Sequence, residues 1–228
     1  MVKKNNSSTK ISFAEYAVLA LAFIYSIILI FVMINGAFTT SGSIDSHYFL
    51  MFTTQTNIFC AIWMLLFSFT IFIRNKKYVQ IIKNKSLVNS LMLAITMTFL
   101  VVALWLNPIW KGSWIEGTSG SLFYTHMLTM VIMWMIFMLS KFEGKYNWKL
   151  NFSALIFPLA YFLFCGLVSW FISGWVAYDF LDPSTFGNTK NCVTWIIYIG
   201  VIMVLSGVFY GVGFGIDKLH SCFQKKVE

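Results

Sequence analysis

The feature that most constrains this chain is a recurrence of apolar runs about twenty residues long, the length an α-helix needs to cross a hydrocarbon core of about 30 Å. Six such runs are read, at 13–35, 49–73, 87–107, 121–140, 152–174 and 192–214. Of the 228 residues 59% are hydrophobic and only 11% are charged, where a soluble domain carries about 25% charged residues. The expected fold class is therefore an all-α membrane protein, a bundle of six transmembrane helices. A short segment, 1–12, precedes the bundle and a basic tail, 215–228, follows it. The first run has no small-residue cleavage site and exceeds a signal peptide's apolar core, so it is read as a retained helix.

The formal net charge of +8 raises the question of nucleic acid, and the distribution of that charge answers it. Fourteen of the sixteen Lys and Arg fall in segments that alternate topology puts on one side. These are the N-terminal segment (Lys3, Lys4, Lys10), the second connection (Arg74, Lys76, Lys77, Lys83, Lys85), the fourth (Lys141, Lys145, Lys149) and the C-terminal tail (Lys218, Lys225, Lys226). The opposite side holds only Lys111 and Lys190. Under the positive-inside rule both termini are cytoplasmic. The basic excess is thus a topology signal with a weak attraction to anionic lipid, and no nucleic-acid partner is expected.

Polar groups inside apolar spans are costly and usually have a partner or a task. The second span opens with Phe52-Thr53-Thr54-Gln55-Thr56-Asn57, and the fourth carries His126 near its outer start. Both spans run inward, so Thr53 and His126 lie at similar depth, about one turn below the outer surface. Thr53, Thr56 and Asn57 at i, i+3 and i+4 form one polar stripe that Cys60 continues. Below Cys60 the span turns apolar, which suits a pocket open to the outer leaflet better than a transport path. Thr in such a helix also commonly bonds its own i−4 carbonyl or a neighbouring helix, and a structural role stays open for both features.

Other residues suggest less. His47, His126 and His220 are spread over an outer loop, a span and the tail, and cannot converge on one ion, so no metal and no cofactor is expected; a two-His approach of His47 to His126 stays open. The four Cys show no paired spacing. Pro158 and Tyr161 read as a kink with its packing partner. Gly207, Gly211 and Gly215 form a small-residue ladder suited to close helix packing. The outer run from Trp175 to Pro183 mixes aromatic residues with Asp179 and Asp182, and reads either as an interfacial aromatic belt or as a lid. Nothing in the sequence speaks to oligomeric state.

Taken together, six spans, the Phe52-Thr53-Thr54-Gln55-Thr56-Asn57 start, His126, Phe157-Pro158-Leu159-Ala160-Tyr161 and Tyr178-Asp179-Phe180-Leu181-Asp182-Pro183 resemble bacterial members of the androgen-induced / androgen-dependent TFPI-regulating membrane protein superfamily. The resemblance covers most of the chain, through its second to sixth spans. It implies a multi-pass protein of the cell membrane and a threonine hydrolase acting on fatty acid esters of hydroxy fatty acids. Carried over by position, the catalytic pair is Thr53 and His126, with Thr54 as the alternative nucleophile one residue away.

Such a pair is chemically reasonable, because a Thr hydroxyl becomes nucleophilic when a neutral imidazole takes its proton. Thr56 or Asn57 is then expected to donate to the oxyanion. Asp179 or Asp182 is the candidate to orient His126, and a dyad without an acid stays open. The expected activity is hydrolysis of, or acyl transfer from, a membrane lipid or fatty acid ester. A small transporter and a non-catalytic membrane partner are the alternatives.

Overall fold

A computed structural model describes residues 13–38, 42–73, 75–103, 120–143, 155–178 and 181–227. The segment 1–12, the expected end of the third span at 107, the expected start of the fifth at 152, and Asp179 lie outside them. Among the described residues the chain is helical, with no strand beyond two isolated bridges, Phe38 with Ile44 and Asn84 with Glu143. In chain order the helices are α1 (Phe13–Gly36), α2 (Phe52–Ser68), α3 (Lys76–Ile82), α4 (Lys85–Val101), α5 (Thr129–Leu139), α6 (Ile156–Tyr161), α7 (Ser169–Ser173) and α8 (Cys192–Val227). Three helical stretches, Phe13–Gly36, Phe52–Ile71 and Cys192–Lys225, are long and apolar enough to cross a membrane. Lys85–Val101 and Phe123–Leu139 are apolar but shorter.

The helices begin where a short polar side chain replaces the missing backbone acceptors. Asn75 accepts from Lys77 N at 3.0 Å to start α3, and Asn84 accepts from Ser86 N at 3.0 Å and Leu87 N at 3.1 Å to start α4; such caps are worth about 1 kcal/mol each. The centre of the bundle is closed by Ala22 and Leu29 of α1, Met64 of α2, Met92 and Ile95 of α4, and Met133 and Phe137 of α5, all without measurable exposure. Outside it, Phe31, Phe72, Ile172 and Val204 are each at least 67% exposed. So apolar a surface has no place in water.

Successive helices reverse direction. The start of α1, the end of α2, the start of α4 and the end of α5 meet around Leu19, Phe67, Lys83 and Leu139 at one end. The end of α8 joins them there through Lys85 Nζ on Asp217 Oδ1 at 2.7 Å and on Ser221 Oγ at 3.2 Å. His220 Nε2 donates to Ser140 O at 3.3 Å, and its ring lies 4.3 Å from that of Phe137. The segment 215–228, set apart in the sequence as a tail, thus continues α8 through Val227 and buries Ile216, Asp217 and His220. The thirty-six residues of α8 run about 54 Å at 1.5 Å per residue, well beyond one bilayer core.

Two further expectations change on folding. A Cβ built on Gly207, Gly211 or Gly215 meets no atom within 4 Å, so among the described residues the small-residue ladder packs against nothing. Pro158 is buried in α6, which passes into a π-helical stretch, Phe162–Val168, directly after Tyr161. Phe157 stacks on Phe52 at 5.3 Å and Tyr161 meets Phe52 edge-on at 5.0 Å. The Phe-Pro-Leu-Ala-Tyr segment therefore packs against the start of α2.

The Lys85–Asp217 pair gives a stability test. Asp217→Asn leaves a mostly buried ammonium without its counter-charge and is expected to cost about 3 kcal/mol, whereas Lys85→Met with Asp217→Leu returns most of that loss. Thermal unfolding in detergent, followed by Trp fluorescence, measures both; an Asp217→Asn protein as stable as wild type counts against a buried pair.

Candidate functional site

The geometry of the site begins with where α2 starts. The second span was expected from residue 49, but Ser46–Leu50 forms a 3₁₀ turn, begun by Asp45 accepting from His47 N at 2.9 Å. Met51 then leaves the chain extended at φ −69° and ψ 136°, and α2 begins at Phe52. Thr53 is therefore the second residue of a seventeen-residue helix whose start has no side-chain cap. First-turn N–H groups have no intrahelical acceptor and carry the positive end of the helix dipole. The Thr53 N–H donates to Tyr178 Oη, and the Tyr178 hydroxyl donates to Thr53 Oγ1, each at 3.5 Å.

Thr53 and Tyr178 line a cleft of about 480 Å³, counting its open side. Its other walls come from Phe52, from Thr98 and Val102 at the end of α4, from Tyr161 and Phe162, and from Phe209 of α8. The cleft lies between α2, α4, α6 and α8, and His126, expected beside Thr53, is not among its lining residues. Thr54 turns away from it. Thr54 is buried and bonds the side chain of Tyr48, whose phenol burial pushes above its ordinary pKa while that bond pulls it back. Gly36 is needed beside this phenol, because a Cβ there falls 2.8 Å from Tyr48 Oη.

Asn57 joins the two halves of the site. Fully buried, it donates through Nδ2 to Thr53 O at 2.7 Å and to Thr125 O at 2.9 Å. Both amide protons are then used, so the expectation that Asn57 donates to an oxyanion gives way to a positioning role. Its Oδ1, and the Oγ1 of the equally buried Thr56, have no hydrogen-bond partner among the described residues. Thr56 does not line the cleft either.

His126 sits in a π-helical turn, Phe123–Leu128, that leads into α5. The wider turn is filled by side chains: Thr129 Oγ1 donates to Tyr124 O at 2.8 Å, and Tyr25 Oη of α1 donates to the same carbonyl at 3.1 Å. Thr125 Oγ1 donates to Ser121 O at 3.1 Å, leaving its lone pairs to face His126 Nδ1 at 3.0 Å, and Leu122 O lies 3.1 Å from Nδ1. A carbonyl only accepts, so the Leu122 O contact is a hydrogen bond in the tautomer that carries its proton on Nδ1, the tautomer in which Nε2 is the basic nitrogen.

The acids of the loop before α8 are differently disposed. Asp182 accepts from Ser184 N at 2.8 Å and caps the 3₁₀ turn Pro183–Phe186, which is the use the structure makes of it. Asp179 lies outside the described residues. His47 stacks on Trp175 at 4.5 Å beside Asp45, in a contact between the first outer loop and the loop that carries Tyr178. Among the described residues no three His, Cys, Asp or Glu converge as a metal site. Sequence reading missed Tyr178 as a partner of Thr53. Its only signal was the aromatic run, and Met51, a poor capping residue, hid the helix start.

With Thr53 on the cleft and Thr54 buried, Thr53→Cys in a cysteine-free background is expected to react with a small maleimide at least about tenfold faster than Thr54→Cys, since thiol reactivity follows access. Equal rates count against this register. Asn57→Leu is expected to cost about 1–3 kcal/mol on thermal unfolding, because Thr53 O and Thr125 O lose a buried donor. Comparison with protein-family models, with curated proteins and with solved structures finds no match to this chain.

Proposed function

We propose that this chain spans a bacterial cell membrane six times, with both termini cytoplasmic, and that it is an intramembrane threonine hydrolase or acyltransferase of lipid esters such as fatty acid esters of hydroxy fatty acids. The observation that carries the reading is the double hydrogen bond of Asn57. One amide nitrogen holds the carbonyl of Thr53 and the carbonyl of Thr125, next to His126, so the turns that bear nucleophile and base are tied across two helices. The apolar cleft at Thr53 supports an acyl substrate, and the tautomer of His126 supports a base at Nε2. The resemblance in helix order and short motifs points the same way.

In the proposed reaction Thr53 Oγ adds to the ester carbonyl while its proton passes to His126 Nε2. The tetrahedral oxyanion collapses, the ester C–O bond breaks, and the alcohol leaves with the proton from His126. Water then repeats the sequence on the acyl-threonine and frees the acid; a second alcohol in its place gives transfer. Oxyanion stabilisation falls to the first-turn N–H groups of α2 in place of Asn57, and the Tyr178 hydroxyl joins them by turning its proton from Thr53 Oγ1 to the oxyanion as Thr53 is acylated. A donor so placed is worth about 3 kcal/mol in well-studied hydrolases.

A lipid-like fluorophosphonate is expected to label purified wild type, and branched and simple fatty acid esters to turn over. Thr53→Ala and His126→Ala are expected to abolish labelling and lower turnover by about 10²–10⁴-fold, with Thr54→Ala retaining both. Tyr178→Phe is expected to keep the nucleophile but slow turnover by about 10²-fold. Folded wild type that neither labels nor turns over any ester refutes the catalytic reading.

A further inference from the structure

Among the described residues the cleft at Thr53 has a mouth and a floor. Of its lining, Thr53, Val101, Tyr178 and Leu205 are half-buried, whereas Met97 and Phe209 are buried, at 4% and 3% exposure. Two helices that run in opposite directions place these groups in the same order. α4 leaves the basic end of the bundle, where Lys85 pairs with Asp217, so Met97 lies nearer that end than Val101. α8 runs toward the basic end, so Phe209 lies nearer it than Leu205. On both helices the half-buried residue and the buried one are a single turn apart, about 6 Å at 1.5 Å per residue.

The floor is apolar and packed. The Phe209 ring meets that of Phe162 edge-on at 5.8 Å, and Thr98, also in the lining, donates its hydroxyl to Ala94 O at 3.1 Å. A depth of one helical turn admits a few methylenes below an ester carbonyl held at Thr53. A long acyl chain would instead drive into Met97 and Phe209, and a close-packed interior resists such overfilling. Beside the mouth, Val204 and Val208 on the same helix as Leu205 are exposed, and this is apolar surface along which a longer chain can lie in lipid.

We infer that the ester cleaved at this site carries a short acyl group, which enters the cleft with Thr53 at its mouth and Met97 and Phe209 at its floor. The long chain belongs to the alcohol part and stays outside, in the lipid. This rests on the hydrolase reading above and narrows its substrate to short-chain acyl esters of a lipid alcohol such as a hydroxy fatty acid. Thr53 Oγ bonds to the carbonyl carbon of the short acyl group, the ester C–O bond breaks, and the lipid alcohol departs with the proton held by His126. Water then releases the short acid from Thr53.

The full chain, purified in detergent, is given the butanoyl, octanoyl and palmitoyl esters of one hydroxystearic acid, and the hydroxy acid set free is measured by mass spectrometry. The butanoyl ester is expected to show a kcat/KM at least about tenfold above that of the palmitoyl ester, the scale on which an apolar pocket discriminates by chain length. Phe209→Ala, which deepens the floor, is expected to raise octanoyl turnover relative to butanoyl by about tenfold. Should that variant fail to fold, Phe209→Leu makes the same change in smaller measure, and the wild-type series decides by itself. Equal rates for the three esters, a preference for the palmitoyl ester, or a series unmoved in folded Phe209→Ala overturns this inference and leaves the hydrolase reading standing. Folded wild type that turns over none of the esters overturns both.

Discussion

A buried carboxamide is costly in hydrocarbon unless its hydrogens are taken, and the end of the bundle that holds Thr53 and His126 follows from how Asn57 meets that demand. Its two amide protons go to carbonyls on different helices, Thr53 O and Thr125 O. A backbone carbonyl has two lone pairs, so each can accept from Asn57 as well as from the helix. Thr125 lies in the π-helical turn Phe123–Leu128, which Thr129 and Tyr25 steady. The distortion that carries His126 and the polar side chain that reaches it are two parts of one arrangement. Extra residues in a helix are often kept at functional sites for this reason.

The two ends of the bundle handle polarity differently. At the end that holds Thr53 the buried Asn57 and Thr125 side chains donate to backbone carbonyls, and the Thr53 hydroxyl stands beside an apolar cleft. At the basic end a full ion pair, Lys85 with Asp217, is buried between α4 and α8, and further lysines remain at the surface of an open cavity. The hydroxyl proposed as nucleophile gains from a dry, low-dielectric neighbourhood, and the ion pair stands at the opposite end of the same scaffold.

Much of the arrangement was legible as pattern. Apolar runs marked the three helical stretches long and apolar enough to cross a membrane, and Thr53 and Asn57, one turn apart on one helix, do share a hydrogen bond. The rest was not written locally. Met51 is no capping residue, so nothing near it announced that α2 starts at Phe52, which makes Thr53 a first-turn residue. Asn57 looked like an oxyanion donor because its partners lie 4 and 68 positions away, and only the second requires the fold. The 215–228 segment read as a tail because it is rich in lysine, of which Lys218 and Lys225 are exposed, while Ile216, Asp217 and His220 are buried.

What the sequence determined by itself was the class of structure: apolar segments too long and too numerous for water dictate helices, since only an internally hydrogen-bonded backbone is stable in lipid. It also determined which polar residues had to be explained, because so few interrupt those segments. Tertiary structure alone decided their partners. It put Thr53 on a cleft between α2, α4, α6 and α8, turned Thr54 onto Tyr48, and brought Tyr178 over the start of α2. Each of these depends on the rotation of one helix against another, set by packing of side chains far apart in the chain, and no local pattern encodes it.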